Sequence, residues 1–322
     1  MIQSFILKKS GKNSKLIYYT RNIFLYLVPS FFQRIRLRRT LNHISQRKDK
    51  EYIYDRVEYY NKLNRRTLLP DNSNTLRAHT LRNQKSVYFF DTYEYTRWFS
   101  PSLKWSYIAG DINYIPDKPS IVKARPILKN NQNSILLNLN KVRHFIFLND
   151  KIHFCDKENK VIFRGETDGK LNRQIFVNKF HKHPLCDVGD VGYNSHSHHA
   201  DAITIYQHLK YKFIMCLEGN DVASNLKWVM SSNSIAVMPK PTCETWFMEG
   251  KLIPNYHYIE IKPDYSDFIE RIQYYIDHPN EAQSIIAHAH EYVNQFKNPK
   301  RERLISLLVL NKYFELTNSP TK

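Results

Sequence analysis

The sequence predicts an α/β protein with a doubly wound, Rossmann-type second half and a basic helical segment at its start; two such lobes would leave a cleft between them. Three observations predict it. Strands and helices alternate through residues 159–300, the pattern of a doubly wound sheet. Short apolar runs between turn signals fill residues 66–158, and residues 1–65 read as helical, basic and tyrosine-rich. At 322 residues the chain is long enough for two domains, whose junction is the usual place for a ligand.

In chain order, Val87–Phe90, Ser134–Asn138 and Phe145–Leu148 are the apolar runs of the first lobe, split by the proline-rich segment Pro116–Pro126. Val161–Phe163 opens the second lobe as a strand. Phe213–Leu217 is too short and apolar for a helix and reads as a buried strand. Glu218, Gly219, Asn220 and Asp221 then form a turn, and Ser224 or Asn225 can cap a helix carrying Leu226, Val229 and Met230. Ile235–Met238 and Tyr258–Ile261 complete the strands. Asp264 can cap a helix with Phe268, Ile272 and Tyr275 on one face, Pro279 suits the first turn of the next, and residues 301–322 hold a last helix.

Composition narrows the function. A hydrophobic share of 42% supports a folded core, and a net charge of +18 implies a polyanionic partner. Arg34, Arg36, Arg38, Arg39, Arg47, Lys48 and Lys50 follow the apolar stretch Ile23–Val28 and Phe31-Phe32, which Pro29 breaks well short of a membrane span. This segment is either a membrane-surface element, with aromatics at the acyl boundary and arginines on anionic head groups, or a first helix with a solvated basic face. It does not read as a signal peptide, because the basic cluster follows the apolar part. Four scattered cysteines without a CxxC point to a reducing cytoplasm. No nucleic-acid motif accompanies the charge, so a nucleic-acid-binding protein is a remote alternative.

The chemistry-bearing residues cluster after predicted strands. In Phe163-Arg-Gly-Glu-Thr-Asp-Gly-Lys-Leu-Asn-Arg173, the glycines allow close backbone approach, and Thr167, Lys170 and Arg173 can donate to a phosphate. A solvated loop leading into a helix is the plainer reading. The loop at Glu218–Asp221 has neither GxGxxG nor GxxxxGK[ST]. His196-Ser-His-His199 lacks ligand spacing for zinc, and Asp187-Val-Gly-Asp190 is spaced wrongly for a DxD metal site.

Longer blocks resemble glycosyltransferase family 90, which contains protein O-glucosyltransferases, fungal capsule-associated proteins and bacterial lipopolysaccharide core transferases. The blocks are Gly110-Asp-Ile-Asn113, Pro119-Ser-Ile-Val-Lys-Ala-Arg-Pro126, Leu136-Leu-Asn-Leu-Asn-Lys-Val-Arg-His-Phe145, Glu218-Gly-Asn-Asp-Val-Ala-Ser-Asn-Leu-Lys-Trp228 and Glu244-Thr-Trp-Phe-Met-Glu-Gly250. The bacterial lipooligosaccharide branch is the most similar, over about residues 85–300. The resemblance implies a GT-B-like fold with a UDP-sugar in the second lobe and the acceptor in the first. It assigns the donor diphosphate to Arg164, Gly165, Thr167 and Arg173, and to the turn and helix start at Gly219, Ser224 and Asn225. Many relatives carry Arg where this chain has Asn225, so Lys227 or the helix end would have to compensate. Asp111 is the candidate catalytic base, with Asp91 in reserve, because an acceptor hydroxyl must lose a proton as it attacks the anomeric carbon. The alternative reading of Asp111 is a turn residue after Gly110. Glu244 is assigned to the donor ribose or to a surface loop, and Arg125, Arg143 and His144 to a phosphorylated acceptor or to structural ion pairs.

Charge, motifs and resemblance together imply a cytoplasmic hexosyltransferase, peripheral on the inner face of the bacterial inner membrane. It would move glucose or galactose from a UDP-sugar to a heptose of the lipooligosaccharide core. The expected partners are the UDP-sugar, a lipid-linked phosphorylated oligosaccharide and the anionic membrane surface, with no nucleic acid. No cofactor is required, and a divalent metal is compatible. A capsule or other surface polysaccharide, or a protein acceptor, is the alternative.

Overall fold

The computed structural model describes residues 10–83, 85–193 and 198–319. Three helices come first: α1 (Lys15–Leu27), α2 (Phe31–Asn42) and α3 (Lys50–Tyr60). The Ser14 hydroxyl accepts from Ile17 N–H and caps α1. α1 lies against α4 (Ser86–Thr96), where the Tyr18 hydroxyl donates to Asp91 at 2.8 Å. α4 contains the run Val87–Phe90, which the sequence marks as apolar without showing that it is helical. Tyr88, Phe89, Phe90, Asp91, Thr92, Glu94, Tyr95 and Thr96 are all buried, so the helix is enclosed nearly all round. Such a helix shows no one-sided apolar period.

The next strands are three residues each: β1 (Ser120–Val122), β2 (Ala124–Pro126) and β3 (Ser134–Leu136). β1 and β3 pair in parallel, while β2 pairs antiparallel with Cys243–Thr245. α5 (Lys141–His144) comes after them, and Phe145–Leu148 forms no strand. Among the described residues, the front half therefore carries no sheet comparable to that of the second half.

The second half is a parallel sheet built from β4 (Glu158–Gly165), α6 (Leu171–Phe180), β5 (Cys186–Asp190), α7 (Ile205–His208), β6 (Tyr211–Met215), α8 (Leu226–Met230), β7 (Ile235–Met238), β8 (Cys243–Thr245, the partner of β2) and β9 (Ile259–Glu260). Five of its strands form one sheet in the order β5-β4-β6-β7-β9, every pair parallel. β5 escaped the sequence reading, because Cys186-Asp-Val-Gly-Asp190 is half polar and contains glycine. β7 is buried at every position, as a parallel strand covered on both faces must be. One face packs on Phe176, Phe180, Phe268, Ile272 and Ile285. The other shares a core with the front half through Ile214, Cys216, Met238, Ile121 and Leu136.

Three helices finish the chain: α9 (Phe268–Asp277), α10 (Pro279–Asn294) and α11 (Pro299–Thr317). Pro279 and Pro299 sit in first turns, where a missing N–H costs nothing. α11 crosses back to the front half and packs on α2, α3 and α4. There the buried Arg56 guanidinium meets Glu302 at 2.6 and 2.9 Å, and Trp246 Nε1 donates to the same carboxylate at 2.6 Å.

Candidate active site

Counted within its own unit, the sheet runs second-first-third-fourth-fifth. The side on which successive strands are added reverses between β4 and β6, and ligands of open α/β sheets bind outside the carboxyl ends of strands at such a switch point. The two loops leaving those strands are Glu166–Lys170 and Leu217–Asp221, and Arg173, at the start of α6, joins them. Its Nε donates to Glu218 O at 3.1 Å, Nη2 to Leu217 O at 2.8 Å and Nη1 to Glu166 O at 3.0 Å. Gly219 makes this possible, since a Cβ there would stand 2.9 Å from Arg173 Nη2. Burial lowers the Arg173 pKa; Glu166 opposes the shift and the Arg143 charge adds to it.

Beside this junction lies a cavity of about 180 Å³. Asn172, Leu217, Ala223, Leu226, Pro239 and Tyr265 are among its walls. A cavity of about 150 Å³ holds a benzene ring, so this one has room for one flat ring but not for a whole nucleotide-sugar. The Glu218 carboxylate ties its rim by accepting from Thr242 N–H at 3.0 Å and Cys243 N–H at 3.1 Å.

From the front half, Asp111 reaches the same edge. Lys123, just after β1, ion-pairs with Asp111, and its Nζ lies 2.6 Å from Asp221 Oδ2. Lys123 is 2% exposed and Asp111 27%, so one oxygen-bearing face of Asp111 stays open while its counter-ion is interior. Tyr88 from α4 lies 3.4 Å from Asp111 Oδ1. Burial would raise the Asp111 pKa, but the Lys123 ammonium, with Arg143 behind it, outweighs burial and holds it below the ordinary carboxylate range. Asp221 is shifted the other way, because burial outweighs Lys123 and Asp111 repels it. Arg143 is exposed, and its charge is felt at both Asp111 and Arg173. Lys123, Asp221 and Tyr88 were not found from sequence. The only signal was Asp221 in a polar turn after a strand.

Other expected site residues are spoken for. Arg164 points to Asp187, 2.5 Å away, and also donates to Asp187 O. The Thr167 hydroxyl donates to Asp190 at 2.6 Å, which also accepts from the Thr167 and Gly192 N–H groups, so Thr167 shapes the loop rather than facing outward. A Cβ at Gly165 would strike the Phe163 ring at 2.7 Å, so this glycine is needed for packing. Ser224 and Asn225 precede a helix of only five residues, and Asn225 Nδ2 donates to Met215 O at 3.0 Å instead of capping. So short and uncapped a helix does not supply the helix-end anion site expected there. Lys227 is fully buried against Glu249 at 2.7 Å and cannot stand in for the missing arginine. Arg125 and Glu244 pair with each other at 2.8 Å, across the β2–β8 register, and both are buried. Neither is open to acceptor or ribose, which corrects both assignments. His144 is interior, and burial, with Lys123, Lys227 and Arg143 nearby, pushes its pKa well down, so it is a neutral ring rather than a phosphate ligand. Asp91, the reserve base, is enclosed by Tyr18 and the Lys141 N–H. The histidine run His196–His199 lies partly outside the described residues. Among the described residues, no group of three or more His, Cys, Asp or Glu side chains is placed to hold a metal ion.

A parallel sheet with a cationic junction at its switch point, and a partly open carboxylate tied to the same edge through Lys123, is an α/β arrangement that suits group transfer. Comparison with known proteins narrows the class. Residues 137–320 match glycosyl transferase family 90. The chain is 40% identical over 266 residues to O-glucosyltransferase LpsA of Dichelobacter nodosus, covering 82% of this chain and 83% of the relative. It is 26% identical over 174 residues to Protein O-glucosyltransferase 3 of Homo sapiens, covering 52% of this chain and 34% of that one. The Rattus norvegicus protein of the same name is 25% identical over 169 residues, 50% of this chain and 33% of the relative. The chain belongs to glycosyl transferase family 90 and is a glycosyltransferase.

Proposed function

We propose that this enzyme moves a hexose from a UDP-sugar to a heptose hydroxyl of the lipooligosaccharide inner core, working at the inner face of the bacterial inner membrane. The observation that carries the reading is the meeting of Arg173 and Gly219 with the Asp111–Lys123–Asp221 cluster at one sheet edge. In this reading the parallel-sheet half is the donor lobe of a GT-B-like pair. The uracil ring occupies the 180 Å³ cavity. The diphosphate runs past Arg173 toward Arg143, whose charges meet the negative charge that grows on the leaving UDP. Asp111, kept ionised by Lys123, takes the acceptor proton as the hydroxyl oxygen bonds to the anomeric carbon and the bond to UDP breaks. A divalent ion is compatible with this scheme but is not required by it. Glucose is favoured over galactose by the O-glucosyltransferase name of the bacterial relative.

Purified protein incubated with UDP-glucose or UDP-galactose and truncated core acceptor should yield product heavier by one hexose. Absence of both transfer and UDP binding would reject the proposal. The weaker similarity to Protein O-glucosyltransferase 3 favours a polypeptide as the second acceptor class. An unchanged core glycan in a deletion strain would select that alternative.

A further inference from the structure

The α1–α2 corner is the least covered apolar surface of the described chain. Leu16, Ile23, Phe24, Leu27, Phe31, Phe32 and Ile35 are all exposed, Leu27 at 73%, Phe24 at 67% and Ile35 at 63%. α2 buries none of its residues. A run of exposed large apolar side chains on neighbouring helices marks an interaction surface.

Charge identifies the occupant. The first acidic residue of the chain is Asp49, and eleven lysines and arginines precede it. Arg34, Arg36, Arg38 and Arg39 are exposed on the same helix as Phe31, Phe32 and Ile35. A second copy of this chain would bring the same cations against them. The segment ahead of α1 also brings Lys8 and Lys9 and no carboxylate. A nucleic acid would satisfy the arginines but leave the leucines and phenylalanines in water. An anionic bilayer satisfies both, with head groups on the arginines and acyl chains on the aromatics.

We infer that the corner Phe24–Ile35 inserts edge-on into an anionic lipid surface as a rigid wedge. This deepens the membrane element of the proposed function and does not depend on which sugar is moved. The rigidity comes from α4. Arg97, at its C-terminal end, donates to Leu25 O and, at 2.6 Å, to Val28 O, the carbonyls that end α1. At the other end of α4, Tyr88 lies 3.4 Å from Asp111. Nine residue steps separate Tyr88 from Arg97, on the order of 14 Å along the helix. One helix therefore fixes the height of the candidate base above the inserted corner. Insertion would present Asp111 to an acceptor hydroxyl close to the lipid surface rather than at the far end of a long glycan.

Flotation of the full chain with vesicles tests this, using phosphatidylcholine alone or mixed with phosphatidylglycerol. Binding should require phosphatidylglycerol and weaken as salt rises. The paired change Phe24→Glu and Phe31→Glu should reduce vesicle binding at least about tenfold. Arg36→Gln with Arg38→Gln and Arg39→Gln should remove the dependence on phosphatidylglycerol. Both sets should leave transfer to a water-soluble acceptor fragment unchanged while raising KM for acceptor embedded in vesicles. Unchanged vesicle binding by the glutamate variant would overturn the inference. So would a concentration-dependent dimer that the same variant dissolves, which would give the corner to a second copy. If no transfer is seen with any acceptor while vesicle binding behaves as described, the proposed function fails and the wedge stands.

Discussion

Replacing Arg173 with alanine removes three bonds at once, to the carbonyls of Glu166, Leu217 and Glu218. Bonds from a charged donor are each worth about 1.5–3 kcal/mol, and the side chain is half-buried. The three share one guanidinium and do not add, so a stability loss of roughly 2–3 kcal/mol is expected, falling mainly on the two loops. The ligand effect is separate. A guanidinium has five N–H donors, and two remain after those three bonds. One charge-assisted bond from them to the diphosphate is worth about 1.5–3 kcal/mol, so UDP should bind Arg173→Ala roughly 10- to 150-fold more weakly. Arg173→Lys keeps the charge but not the fork, and should fall between. Calorimetric titration of UDP, run beside thermal melting, separates the two effects. A lowered Tm with UDP affinity unchanged would make Arg173 a loop clamp alone and refute its role at the diphosphate.

The same geometry sets the outcome for three further variants. Asp111→Asn should lower kcat by about 10²–10⁴ with UDP affinity intact; full turnover by this variant would remove Asp111 as the base. Lys123→Met takes away the cation that holds the Asp111 pKa down, so the acid limb of the pH–rate profile should move to higher pH. The lowered Asp111 pKa also means that this pair stabilises the fold above the ordinary carboxylate range. That contribution fades as pH falls through the folded value, so acid unfolding of Lys123→Met should be less steep. Glu244→Ala strands Arg125 in a fully buried site and should cost about 3–5 kcal/mol by denaturant titration, while UDP affinity of the folded protein stays the same.

The sequence shows most of the parallel sheet, because buried parallel strands are continuous apolar runs such as Phe213–Leu217 and Ile235–Met238. It shows the C-terminal helices through one-sided spacing, as in Phe268, Ile272 and Tyr275. It does not show α4, whose burial on every side erases the period that separates helix from strand. The loop ending in Arg173 is legible as a donor of hydrogen bonds, but not what it bonds to, since Leu217 and Glu218 lie more than forty residues away. The same limit hides the Asp111–Lys123–Asp221 cluster and leaves Arg125 and Glu244 without named partners. Their partners are set by strand register, 119 residues apart for Arg125 and Glu244, and a single sequence carries no record of that.

The return of α11 to the front of the molecule has a consequence for biosynthesis. Chains fold as they leave the ribosome, N-terminal parts first. Here Arg56 waits for Glu302, which is 246 residues further on. Until α11 emerges, that guanidinium has no carboxylate and Trp246 no acceptor. The parallel sheet can assemble earlier, and the opening helices must be held back, so nascent chains stalled before Pro299 should be cut readily by protease within Lys50–Tyr60 while residues 158–261 resist.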